Sequence, residues 1–483
     1  MKLLTTLLAI SCALCAETTM AQNVNIPDAN FKAYLVGNSS INTNGDSEIQ
    51  VSEAAAFTGT ILCSNRSISD MTGIESFTNL TRLDCNVNQL SSLDVSSNTN
   101  LTILSCNANQ LSSLDVSSNT NLTRLHCYSN QLSSLDVSSN TNLTRLYCYS
   151  NQLSSLDVSS NTNLTELHCH NNQLSSLDVS SNTNLTELSC SANQLGSLDV
   201  SNNTNLTRLY CHTNQLSSLD VSNNTNLTRL YCHTNQLSSL DVSNNTNLTQ
   251  LYCNANQLSS LDVSNNTNLT ELHCHNNQLS SLDVSSNTNL TGLSCSANQL
   301  SSLDVSSNTN LTRLYCYTNQ LSSLDVSSNT NLTRLLCYNN QLSNLDVKNG
   351  NNSNFTSFNA VNNPNLQCIE VDDSTYSANN WLNIDAIATF STDCSLYNST
   401  TTINNGVNIR AYPNPTSQNI RLEFGQLYEQ VQIQVTDLRG QVVLDKTIEN
   451  AVTTTTELPE PTGIYFVAVK TANETRVLKV VKE

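Results

Sequence analysis

Thirteen cysteines, from Cys85, Cys106 and Cys127 through to Cys316 and Cys337, follow one another at an unbroken interval of 21 residues. A fixed period of this size marks a solenoid, in which each turn packs only on its neighbours. The first full unit runs from Leu80 to Asn100 and divides in two, so that Leu80, Leu83, Cys85 and Asn88 recur as Leu90, Leu93, Val95 and Asn98. Apolar and polar residues alternate in each half, as in a short strand with one buried face. The closing Asn can turn the chain and hydrogen-bond backbone groups of the next turn. These features predict a mainly β solenoid, with short parallel strands on both walls and little helix. At about 4.8 Å per stacked strand, the array makes a rod roughly 65–70 Å long.

The half-unit L-x-x-L-x-(C/V)-x-x-N resembles the leucine-rich repeat family, and its doubling within 21 residues resembles the bacterial variant with nested periodicity. The resemblance covers roughly residues 61 to 366. Ile61, Cys63, Ile68 and Met71 fit a degenerate first turn, and Phe355, Phe358 and Ala360 a degenerate late one. Leu366 and Ile369 then begin a closing cap.

The expected organisation is a signal peptide at 1–21, an N-terminal helical cap at 22–59, the solenoid at 60–366 and its C-terminal cap at 367–394. A polar linker at 395–406 and a β-sandwich of about seven strands at 407–483 complete the chain. The signal peptide rests on Lys2, the short apolar run from Leu3 to Cys15 and the exit at Thr19-Met20-Ala21. A lipid-anchor site at Cys12 is the weaker alternative. In the last segment Tyr412-Pro413-Asn414-Pro415, Gly440, Gly463, Tyr465, Lys479 and Lys482 resemble the type A sorting domain of the type IX secretion system. That resemblance implies a Bacteroidota-type source, and export to the outer-membrane surface or beyond. It also implies that the secretion machinery reads the final lysine-bearing strand.

Charge narrows the partners. With 19 basic and 38 acidic residues the formal charge is −19, which disfavours nucleic acid and anionic lipid. No nucleophile–base set, phosphate loop or paired metal motif occurs, so an enzyme is not expected.

Copies of the unit differ mainly beside the cysteine. With Cys pointing inward, its two neighbours point outward on one wall. The preceding position holds Tyr147, His168, Tyr210, Tyr231, Tyr252, His273 and Tyr315, and the following one Tyr128, Tyr149, His170, His212, His233, His275, Tyr317 and Tyr338. An Arg/Glu column that includes Arg124, Arg145, Glu166, Glu187, Arg208 and Arg229 flanks them. Aromatics with hydrogen-bonding tips suit recognition of protein or sugar rings, although Tyr and His also serve simply as strand-surface residues. The wall is the expected binding face of an adhesin-like surface protein. A polysaccharide-binding accessory role and a surface-layer role are the alternatives.

The remaining candidates concern metal and sulfur. Asn42, Asn44, Asp46, Glu48 and Glu53 follow the spacing of an EF-hand-like calcium loop, but Asn42 stands where Asp is usual and Ser47 where the turn Gly is usual. Calcium in the N-terminal cap is therefore an expectation beside that of a loop keeping only the shape. The Asp94-to-Asp346 ladder calls for turn N–H groups or cations to offset its repulsion. The ladder cysteines read as buried apolar thiols, and Cys368 with Cys394, outside the ladder, as a disulfide.

Overall fold

The computed structural model describes residues 22–394, 409–459, 461–471 and 475–483. The signal peptide and the linker at 395–406 lie outside the described residues. Two compact units are present, Met1–Asn398 and Ser399–Glu483.

In the first unit fifteen three-residue strands, from Thr60–Leu62 to Ser357–Asn359, form one parallel sheet in chain order. The register advances by one turn, pairing Leu209 with Leu230 and Tyr210 with Tyr231. The ladder continues past each strand: Cys211 N donates to Tyr231 O at 2.9 Å, and Thr213 N to His233 O at 2.9 Å. Leu and Cys of every first half, and Val of every second half, are sealed in one continuous core.

An Asn then closes each half. Asn235 Nδ2 donates to Cys211 O and Cys232 O at 3.2 and 3.0 Å, while its Oδ1 accepts from Leu216 N at 3.0 Å. The residue before it, Thr234, lies in the left-handed region at φ 55°, as do its counterparts in the other copies.

The expectation of strands on both walls is corrected in part. The second wall forms a sheet only at its C-terminal end, from Ser323–Asp325, Asn344–Asp346, Cys368–Glu370 and Thr389–Ser391, with an isolated bridge at Asp94–Asp115. Elsewhere side chains do the work of a ladder. Asp220 Oδ1 accepts from Ser222 N at 2.9 Å, and Asn224 Nδ2 joins Val200 O and Asn203 O, both at 2.9 Å. With the Asp bonding within its own turn and the Asn bonding carbonyls of the turn before, polar side chains satisfy backbone groups that strand partners would otherwise pair.

Both ends of the core are closed. Helix Ala29–Val36 is N-capped by Asp28, whose Oδ1 accepts from Asn30 N and Phe31 N; Oδ2 reaches Ser69 N at 2.8 Å and ties the cap to the first turn. Its Phe31 and Leu35 cover the top of the apolar column. At the other end Trp381 stacks on Phe358 at 4.2 Å, beside Phe355 and Phe390.

In the second unit the seven short strands expected are five among the described residues: Arg410–Tyr412, Asn419–Thr436, Val442–Glu457, Gly463–Lys470 and Thr475–Lys482. All pair antiparallel in one sheet. The two long strands stay paired through an irregularity between Glu423 and Tyr428, where Gly425 has φ 70°. That glycine is part of a bulge through which one long strand continues. Ile420, Leu422, Phe424, Val431, Ile433, Val467 and Val469 form its core.

Candidate functional site

The last residue of each three-residue strand carries one ring column, the residue after the following Cys, just past the strand, carries the other, and the stacking distance fixes how their rings lie. Tyr147 stacks on His126 at 4.5 Å and on His168 at 4.4 Å, with interplanar angles of 6° and 12°. In the other column Tyr149 lies between Tyr128 and His170 at 4.3 and 4.2 Å. Further along, Tyr252 lies between Tyr231 and His273, both at 4.2 Å, His233 on His212 at 4.2 Å, and Tyr338 on Tyr317 at 4.5 Å. Tyr210 is tilted by 57° against Tyr231. The predicted wall residues are therefore brought together, but as ring stacks along the axis. Strands about 4.8 Å apart leave room for one ring thickness, so faces close on faces and edges meet the solvent.

Those edges are polar. Tyr147 Oη bonds Glu166, Tyr231 Oη bonds Gln250 Oε1 at 2.5 Å, and His168 Nε2 contacts Glu187 Oε1 at 3.1 Å. Arg145 pairs with Glu166 at 3.1 Å and Arg208 with Glu187 at 2.6 Å. Burial within the stacks pushes the imidazoles toward the neutral form: His170 and His233 fall to about 4, and His126, His212, His273 and His275 also lie below the usual range. The phenols of Tyr149 and Tyr231 are pushed up to about 12 by the same desolvation.

Both ring columns are interrupted together at two turns, and Asn254 interrupts one of them alone between His233 and His275. Ser189 and Ser191 separate His168 and His170 from Tyr210 and His212; Ser294 and Ser296 separate His273 and His275 from Tyr315 and Tyr317. These serines were missed as site residues in the sequence, although their place between aromatic copies was visible there.

Beneath the wall, fourteen free cysteines are buried. Desolvation raises their thiols, to about 12 at Cys106, Cys148 and Cys253. Cys368 and Cys394 are joined as a disulfide with Cα atoms 5.8 Å apart. Along the Asp ladder the carboxylates accept from the backbone N–H two residues on, a Ser in every copy but the last, where Asp346 accepts from Lys348 N. Those bonds lower the pKa at Asp136, Asp199 and Asp241, whereas burial raises that of Asp346.

In the N-terminal loop Asn42 Nδ2 donates to Asp46 O at 2.7 Å and Asn44 Nδ2 to Asp46 Oδ2 at 2.9 Å. Glu53 accepts from Thr43 N, Thr43 Oγ1, Asn44 N and Gln50 N, and Glu48 pairs with Lys32 at 2.6 Å. Amide donors thus fill the interior of the loop as it stands. Among the described residues no group of three or more His, Cys, Asp or Glu converges to hold a metal, and no helix is long and apolar enough to cross a membrane.

In the second unit the motif residues serve the last strand. Asn414 Nδ2 donates to Lys479 O at 2.9 Å and its Oδ1 accepts from Val481 N at 2.8 Å. Tyr412 bonds Glu423, Thr416 N donates to Val481 O at 2.9 Å, and Pro413 and Pro415 flank Asn414. Gly440 closes the Asp437 turn with φ 79°, and Gly463 opens the strand carrying buried Tyr465. Tyr465 Oη donates to Pro459 O or Pro461 O at 3.0 and 2.5 Å. Lys482 is buried with Nζ on Leu458 O at 3.0 Å, and Lys479 is exposed.

Residues 410–483 match the family described as Secretion system C-terminal sorting domain, and residues 141–182 and 162–203 match Leucine Rich repeats (2 copies). Among solved structures, the functional domain of InlJ from Listeria monocytogenes, described as including a cysteine ladder, is 33% identical. That likeness covers 96% of this chain and 98% of that one, with a TM-score of 0.69. An internalin of the same species, InlF, is 25% identical over 72% of this chain and 99% of that one, with a TM-score of 0.56. A leucine-rich repeat protein of Leptospira interrogans is 27% identical over 57% and 77% of the two chains, with a TM-score of 0.53. No curated protein matches the chain.

Proposed function

The chain belongs to the leucine-rich repeat family and carries a type IX sorting domain, and from that premise we propose that it is an adhesin-like protein that recognises a partner protein through its first wall. The sorting domain directs export by the type IX route to the cell surface or extracellular space. The observation that carries the reading is where the copies differ. Variation is concentrated at the outward positions beside the cysteine, whereas the second half, S-S-L-D-V-S-S-N-T-N, barely changes. A rod needs no such asymmetry for its own stability.

What the wall offers suits a protein partner. Rows of phenol and imidazole edges, with Arg and Glu alongside, present directional donors and acceptors on a rigid surface. Aromatic residues and Arg are the types enriched where binding energy concentrates. The polysaccharide alternative loses most of its platform, because a sugar needs an open ring face and the stacks close nearly all of them.

Capture by the full chain from surface-protein extracts tests the proposal. Changing Tyr147 and Tyr149 to Ala is expected to weaken capture at least tenfold while leaving the solenoid folded. Capture that is unchanged by this and by the same changes at Tyr231 and His233 would refute a role for the wall.

A further inference from the structure

A trough runs along the corner where the chain enters each first-wall strand. It consists of two hollows of about 940 and 860 Å³ that meet at Asn184 and together reach from Thr58 to Asn331. Apart from Thr58, every lining residue is the Asn or the Thr of an Asn-Leu-Thr triplet. That triplet is unchanged in thirteen successive copies, from Asn79-Leu80-Thr81 to Asn331-Leu332-Thr333. The Leu of each copy is sealed in the core, but the lining itself is open to solvent. Asn205, Asn226 and Asn247 are exposed, and Thr207, Thr228 and Thr249 half-buried.

The floor of the trough is rigid and evenly stepped. Thr228 N donates to Thr207 O at 2.8 Å and Thr228 Oγ1 to the same carbonyl at 3.0 Å, while Asn226 Nδ2 donates to Thr204 O at 3.0 Å. With its hydroxyl hydrogen committed to the turn before, each Thr brings to the trough a methyl group and an accepting oxygen. Each Asn keeps Oδ1 and its second amide hydrogen for a ligand. One such set recurs per turn, and the twelve steps from Asn79 to Asn331 cover roughly 58 Å at about 4.8 Å each. No charged side chain lines either hollow.

We propose that this trough binds a single chain of a neutral, extended polysaccharide lying along the solenoid axis. A lining that is the same at every step cannot read a sequence, so it fits a polymer whose own units are all alike. A polypeptide would instead bring a different side chain to each identical step. The uncharged lining favours a neutral chain, and the protein's charge of −19 disfavours an acidic one. Methyl groups beside amide donors and acceptors match a sugar, whose rings carry C–H groups and whose hydroxyls both donate and accept. An extended, cellulose-like chain advances per sugar by close to one strand spacing, so successive sugars meet equivalent Asn and Thr groups. A coiling chain such as laminarin would leave the trough. Weak contacts repeated along one chain add, so affinity grows with chain length. The trough lies apart from the ring columns, and the inference goes beyond the protein-binding role without resting on it.

The probes are cello-, manno- and xylo-oligosaccharides from disaccharide to octasaccharide, with hydroxyethyl cellulose, galactomannan and laminarin as polymers. Calorimetry and affinity electrophoresis use the full chain. At least one oligosaccharide series should gain about tenfold or more in affinity from disaccharide to octasaccharide, and laminarin should not bind. Thr123→Gln, Thr186→Gln, Thr249→Gln and Thr312→Gln together place a longer neutral side chain at every third turn, so that no more than two neighbouring turns stay open. This variant should lose the advantage of the octasaccharide, with folding checked by circular dichroism. Val at the same four positions keeps the shape of Thr and removes only its oxygen; it should weaken octasaccharide binding about threefold, and it decides the matter where the Gln variant does not fold. Ser218→Gln with Ser239→Gln and Ser260→Gln, exposed on the second wall, should change nothing. Binding by none of the extended glycans overturns the proposal, as does equal affinity for disaccharide and octasaccharide, or laminarin bound as tightly as the extended polymers. So does an affinity that neither the Gln nor the Val variant lowers. Protein capture that persists in the Gln variant leaves the first-wall reading intact, so the two fail separately.

Discussion

Two Asn ladders hold the turns together, and their unequal bonding makes a quantitative prediction. Asn235 donates to two carbonyls and accepts the amide of Leu216; Asn224, fully buried, donates to two carbonyls while its own Oδ1 accepts nothing. In both cases each carbonyl keeps a second donor, such as Asn256 Nδ2 on Cys232 O and Asn203 N on Val200 O. Truncating Asn224 to Ala therefore removes two net hydrogen bonds, about 2 kcal/mol, with part of any cavity cost offset by deleting an unpaired oxygen. Truncating Asn235 removes two bonds and also strands the Leu216 N–H in the core, a further penalty of about 2 kcal/mol. The difference corresponds to roughly a thirtyfold change in the opening equilibrium of the turn. Because a solenoid opens locally, the assay is native-state hydrogen exchange on the amides of residues 206–247, with urea denaturation as a check on the sum. Leu216 N–H should exchange fastest of all in Asn235→Ala. Equal costs for the two variants, or a larger one for Asn224→Ala, would refute the reasoning.

Other outcomes follow from the same geometry. The imidazoles of His170 and His233 titrate near 4 in the fold against about 6.5 unfolded, so the neutral form stabilises the native state. Stability is complete above about pH 6.5 and is lost as pH falls toward 4; urea midpoints across that window should fall, and less so in His170→Gln with His233→Gln. Thiol reagents at pH 8 should label none of the fourteen buried free cysteines in the native protein and all of them in denaturant, given thiols raised to about 12 and beyond. Thr234 is β-branched in a left-handed conformation that Asn tolerates better, so Thr234→Asn should raise stability by about 0.5–1 kcal/mol in thermal melts.

Period, inward cysteines, caps and export tail were legible because each is written in residue type at fixed spacing. A Cys flanked by polar residues every 21 positions admits few arrangements, and Cys368 with Cys394 stood apart from that series. Ring orientation was not legible. Alternation says that Tyr147 points out, but whether its face or its edge meets solvent is decided by the strand spacing and by His126 and His168 on either side. The second wall misled for a related reason: Leu-Asp-Val looks like a strand, yet the Asp bonds the amide two residues on and the Asn reaches carbonyls of the preceding turn, so side chains replace a strand-to-strand ladder. The serine interruptions were in plain view in the sequence, but only the stacks give an absent ring its meaning.

The backbone and Asn bonds that join one turn to the next recur displaced by 21 residues, and residues 206–226 are identical to 227–247. Excising either copy would leave the remaining side chains with neighbours of the same kind, and would bring the two serine interruptions closer by about one strand spacing, 4.8 Å. The reach of this molecule is thus a quantity counted in whole steps, like the notches of a ruler. Gene rearrangements between identical copies can reset it without designing any new surface.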